Sequence, residues 1–188
     1  MATSEVQICS NALLMLGAKP INSFDDDSDR ALLVSNLWAN CRDGVLRSHP
    51  WNCAKDRVQL APEATAPAFD FSYRFALPSD CLRVLSVGEE GETPRYKIER
   101  RRILFDESLL NLCYIFRNED VTTYDSLLVE ALEAYIAMTC AYPITKSASE
   151  QEAMAGLYKF KLQQARSVDG MEEPAEQMGD FPLLSVRR

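Results

Sequence analysis

A single histidine, His49, is present, so any Ser-His or Cys-His nucleophile pair, or any imidazole acid–base mechanism, must run through it. Its neighbours Ser48, Pro50, Trp51 and Asn52 read instead as a helix exit packed by an indole, with no glycine-rich elbow or oxyanion motif beside it. The six cysteines, Cys9, Cys41, Cys53, Cys81, Cys113 and Cys140, are widely spaced and form no C-x-x-C pair. Structural zinc sites are usually built from close pairs, so these thiols read as small, reduced, mostly buried hydrophobes. The run Asp25, Asp26, Asp27 and Asp29 begins like a calcium loop. It then places Arg30 where the sharp turn needs glycine and Asn36 where a bidentate glutamate must close the shell. Helix capping and solvation account for the run. Seven glycines supply no G-x-G-x-x-G and no phosphate-binding loop. No catalytic centre, cofactor or metal is therefore expected.

Two charged groupings remain. Arg100, Arg101 and Arg102 form one compact basic cluster, suited to DNA phosphates or an acidic partner patch, or equally to a solvated turn. Glu130 and Glu133 lie one helical turn apart, which fits scattered active-site carboxylates of a small enzyme and also an ordinary solvated stripe. The formal net charge of -8 opposes tight binding to nucleic acid, whose affinity comes from Lys and Arg displacing phosphate counterions. It suits a surface past which DNA slides. Asp169, Glu172, Glu173, Glu176 and Asp180 outweigh Arg187 and Arg188, so the C-terminal stretch is no basic DNA-binding arm.

The elements that would position these groups follow from period and punctuation. A chain of 188 residues fits one domain, or one domain with an insertion, and buries roughly two thirds of its unfolded surface. No apolar run approaches the roughly 20 residues of a membrane helix, so no membrane partner is expected. No basic region followed by an apolar core opens the chain, which predicts synthesis in the cytoplasm. Ser4 and Gln7 form a capping box for a helix with Val6, Cys9, Leu13 and Leu16 on one face, ended by Gly17 and Pro20. Ser28 caps a second helix with the stripe Val34, Leu37, Trp38, Cys41 and Val45, ended by Pro50.

From Arg57 to Arg117 the period changes to two. Phe69, Phe71, Tyr73, Phe75 and Leu77 alternate with smaller or polar residues and predict a strand with an aromatic face. Shorter strands are expected at Val58 to Leu60, Leu82 to Val87, Tyr96 to Glu99, Ile103 to Phe105 and Leu112 to Phe116, making a small antiparallel sheet or sandwich. Asp125 or Ser126 caps a helix that is apolar nearly all round except Glu130 and Glu133 and runs from Leu127 to about Tyr142, where Pro143 interrupts it. Ser147 with Glu150, or Ser149 with Glu152, caps a last helix carrying Met154, Leu157, Tyr158, Leu162 and Ala165. The fold class is thus α+β. A four-helix bundle-like body (1–56 and 118–167) carries an inserted antiparallel β lobe (57–117) and an extended C-terminal arm (168–188). The arm ends in Phe181, Pro182, Leu183, Leu184 and Val186, apolar where a free tail is usually polar.

Several stretches in this order resemble the tail tubular protein A family of bacteriophage head-to-tail adaptors. They are Ile8 to Gly17 with Pro20 and Ile21, Ala31 to Trp38, Arg47-Ser48-His49-Pro50-Trp51-Asn52, Phe75 to Val84, and Leu127 to Tyr142. The resemblance spans most of the chain except the arm, and none of its residues forms a catalytic motif. It implies a structural connector of the virion neck, assembled in the host bacterial cytoplasm. There a dodecameric ring would sit beneath the portal protein, continue the DNA channel and offer a platform to downstream tail or nozzle proteins. Genomic DNA would be passing cargo only. Apart from the resemblance, the apolar arm tip, Phe181, Pro182, Leu183, Leu184 and Val186, is expected to fill a groove on the portal or a neighbouring subunit, and Arg100 to Arg102 to face a partner or DNA. A small cytoplasmic enzyme and a DNA-packaging accessory protein are the alternatives.

Overall fold

The computed structural model describes residues 4–89 and 94–172. Its helices are α1 (Glu5–Met15), α2 (Asp29–Arg47), α3 (Ser126–Thr145) and α4 (Ala148–Glu172). Between α2 and α3 come six strands: β1 (Lys55–Leu60), β2 (Tyr73–Ala76), β3 (Cys81–Val87), β4 (Lys97–Glu99), β5 (Arg102–Phe105) and β6 (Leu110–Phe116). The class is α+β, with two three-stranded antiparallel sheets ordered β1-β6-β3 and β2-β5-β4.

The caps sit where the sequence places them. The Ser4 hydroxyl accepts from the Gln7 amide and that of Ser28 from Ala31, each satisfying an amide that the first helical turn leaves unpaired. The Asp125 carboxylate does the same for Leu127, and the Ser147 hydroxyl for Glu150. Gly17 stops α1 at a φ of 68°, a left-handed conformation that costs glycine nothing sterically.

α3 packs against each of the other three helices. Its buried residues, among them Leu128, Leu132, Ile136 and Cys140, meet Ile8 and Leu13 of α1, Val34, Trp38 and Val45 of α2 and Ala165 of α4 in one core. By length and composition α3 is apolar enough to cross a membrane, contrary to the expectation that no run approaches that length. In this fold half of that apolar stretch is buried against the other three helices. α3 also passes through Pro143 to Thr145, where an end near Tyr142 was expected. Proline fits helical φ and forfeits one hydrogen bond, a small loss in a last turn that Lys146 closes in the left-handed region at φ 56°.

The β lobe has a second core. Phe75, Ile103 and Phe105 of one sheet meet Cys81, Val87, Leu110, Leu112 and Tyr114 of the other. Period-two alternation delivers this, since Leu112 pairs with Val58 on one side and Val87 on the other. The long aromatic strand is shorter than expected. Only Tyr73 to Ala76 pair, while Asp70 takes a φ of 69° and turns the chain, leaving Phe71 buried and Phe69 exposed. Two boundaries also move: β1 begins at Lys55, inside the segment assigned to the helical body, and α4 continues to Glu172, inside the segment assigned to the arm.

Candidate functional site

The exit of α2 is locked to the end of α4. Asp169 Oδ1 accepts the Asn52 amide at 3.0 Å, its Oδ2 lies 3.1 Å from His49 Nε2, and the Asn52 side chain donates to the Asp169 carbonyl at 3.0 Å. One turn earlier Arg166 donates to the Ser48 carbonyl at 2.9 Å. Trp51 is buried beneath, its indole N–H donating to the Val45 carbonyl and its ring 4.7 Å edge-on from His49. This is why Pro50 and Trp51 follow α2: the proline frees the chain from the helix, and the indole caps the last turn while filling the core. Burial pushes the His49 pKa below its ordinary value and outweighs the pull of Asp169 in the other direction. The neutral ring then holds its proton on Nε2 to donate to that carboxylate.

The same exit reaches into the β lobe. Arg47 donates to the Leu82 carbonyl, and Arg83 donates back to the Arg47 carbonyl at 3.2 Å. The conformation of segment 47–52 thus sets the positions of both the lobe and the last helix.

The basic cluster is divided by the hairpin it builds. Arg100 and Arg101, at φ 47° and 59°, are the two turn residues between β4 and β5, positions that hairpins usually give to Asn and Gly. The Arg101 guanidinium folds back to the Pro78 carbonyl at 2.8 Å and reaches those of Ser79 and Cys81, so it is a staple within the lobe. Arg102 Nε donates to Glu63 at 2.9 Å, a carboxylate that also pairs with Arg74. Arg100 is exposed and makes no ion pair among the described residues. Arg101 is exposed as well, and of the three Arg100 alone has neither a side-chain hydrogen bond nor an ion pair among the described residues.

Arg100 and Arg102 nevertheless border one cavity of about 420 Å³ on the outer face of β2-β5-β4, with Arg74, Lys97, Phe69 and Leu104. Asp70 and Glu99 lie at the same surface. Phe69 stands 75% exposed, and Arg95 stacks 4.7 Å over the neighbouring Phe71 ring. Phe69 and Lys97 were missed from sequence, because Phe69 was assigned to the inward face of a strand that does not extend that far.

Glu133 is buried and accepts from Asn11 Nδ2 at 2.7 Å, while Glu130 pairs with Lys161 at 2.6 Å. The two carboxylates therefore bind different helices and do not converge on a shared cleft. Burial raises the Glu133 pKa, the charge of Glu130 adds to this, and Asn11 opposes it. All six cysteines are unpaired, four of them buried. Burial pushes Cys9 and Cys140 up to about 12, which keeps them as thiols. Phe181, Pro182, Leu183, Leu184 and Val186 lie outside the described residues. Set against protein-family models and curated proteins, the chain matches none of either.

Proposed function

We propose that this chain is a structural head-to-tail adaptor of a tailed bacteriophage. Its copies form a ring below the portal that continues the DNA channel and presents a platform to the tail. The body is a bundle-like group of four helices, the β lobe is the inserted element, and the residues after Glu172 form the arm.

The observation that carries this is the junction at segment 47–52. Two segments that carry the adaptor resemblance, Arg47 to Asn52 and Phe75 to Val84, are joined through reciprocal arginine-to-carbonyl hydrogen bonds. The first of them also holds the last helix through Asp169 and Arg166. The resemblance thus falls on residues that fix how lobe, body and the root of the arm are disposed, as a connector built from rigid pieces needs. Large exposed apolar side chains on the helices, Leu14, Leu32, Tyr142 and Phe160, supply surface for side-by-side packing of copies.

Electron microscopy and native mass measurement of the purified protein, alone and mixed with portal, test the reading. Closed rings that dock on portal are expected. A monomer or dimer that ignores portal overturns it.

A further inference from the structure

We propose that the groove on the outer face of β2-β5-β4 receives the C-terminal segment, residues 173–188, of the neighbouring copy in the ring. This deepens the adaptor reading and rests on it. On a chain of net charge -8, this face gathers Arg74, Lys97, Arg100 and Arg102 around one cavity. Arg74 and Arg102 share the carboxylate of Glu63, and Asp70 and Glu99 line the same cavity without an ion pair to Lys97 or Arg100 among the described residues, so four cations face three carboxylates and a small positive excess is left. Phe69 projects beside them with three quarters of its surface in water. The combination calls for an occupant with carboxylates next to large apolar side chains.

The segment after Glu172 has that composition and order. Glu173, Glu176 and Asp180 precede Phe181, Pro182, Leu183 and Leu184, with Asp180 directly adjoining the apolar tip. Asp180 can meet Arg100 or Lys97 while Phe181 and Leu183 cover Phe69 and Leu104. The eight residues from Glu173 to Asp180, at no more than about 3.3–3.6 Å each, let the apolar tip reach roughly 26–29 Å from the end of α4. The root of the segment is fixed, because Asp169 is held against Asn52 and His49. In a ring, each copy can give its segment to the next and receive one from the last, so a heterologous contact closes on itself and leaves no groove unfilled.

The test uses the full chain with a photoreactive benzoyl-phenylalanine in place of Phe69, expressed as light and heavy isotopic forms and mixed before assembly. Irradiation is expected to join position 69 of one isotopic form to a peptide within 173–188 of the other. Lys97→Glu with Arg100→Glu should lower that yield at least fivefold. Adding Glu176→Lys and Asp180→Lys to this double variant should restore most of it. Crosslinks within one chain, crosslinks to any other segment, or a yield indifferent to charge reversal overturn the proposal. Rings without the crosslink leave the adaptor reading standing and remove this one. Single copies that never form rings remove both.

Discussion

At the scale of single residues, His49 and Glu133 give opposite pH dependences. With its folded pKa held below the ordinary value of 6.5, His49 contributes stability that is complete above about pH 6.5. That contribution is lost as pH falls toward the folded value, because the unfolded chain takes up the proton first. Glu133, raised from 4.5, contributes stability that is complete below pH 4.5 and is lost as pH rises toward its folded value. Urea midpoints measured from pH 4 to 8 should show His49→Gln flattening the acid-side slope just below 6.5, and Glu133→Gln flattening the decline above 4.5. Asp169→Asn keeps the shape of the lock but replaces a charged acceptor for two donors, and should cost about 1–3 kcal/mol in thermal or urea unfolding. Arg100→Gly relieves a left-handed arginine and should raise lobe stability by about 1 kcal/mol, seen as a higher denaturation midpoint. Loss of partner binding in that variant could then not be blamed on the fold.

At the scale of elements, α3 is the centre on which the other helices rest. Leu132 is 1% exposed within it, so Leu132→Ala should cost about 2–5 kcal/mol in denaturant unfolding. The helices were legible because their signals are local: Ser4, Ser28, Asp125 and Ser147 each cap within three residues, and Gly17 and Pro50 end what they should. All six strands were foreseen in order, and β3 and β6, covered on one face by the lobe core and on the other by the helical core, read as near-continuous apolar runs. The length of the aromatic strand was overestimated, because a left-handed Asp70 interrupts a perfect alternation without changing a letter of it. The partners of the Arg100 to Arg102 cluster were illegible for another reason: Glu63 and the Pro78 carbonyl are remote in sequence and recruited only by the sheet. α4 carried an overlooked clue, for Tyr158, Leu162, Arg166 and Asp169 continue the helical spacing past the apparent end. Polarity there looked like a loose arm, yet the polar groups were facing the α2 exit.

At the scale of the whole molecule, a helical body and a β lobe meet through apolar packing of Ile115, Leu82 and Leu85 on the helical core and through directional bonds at segment 47–52. If the lobe bears the contacts between copies, amide hydrogen exchange at Asp106 to Ser108 should slow at least tenfold on ring formation, while the centre of α3 changes little. Unchanged exchange there would place the contacts elsewhere. The lock between α4 and the α2 exit also has a mechanical meaning. Any pull on the residues beyond Glu172 enters the fold at Asp169, whose bonds to Asn52 and His49 share the load with the Arg166 bond one turn back. Several attachments must then yield together before the helix can peel away. Tension carried along the chain beyond α4 is thus delivered to the α2 exit, and through Arg47 to the lobe, so the fold resists as a braced frame and not as a string unravelling from its end.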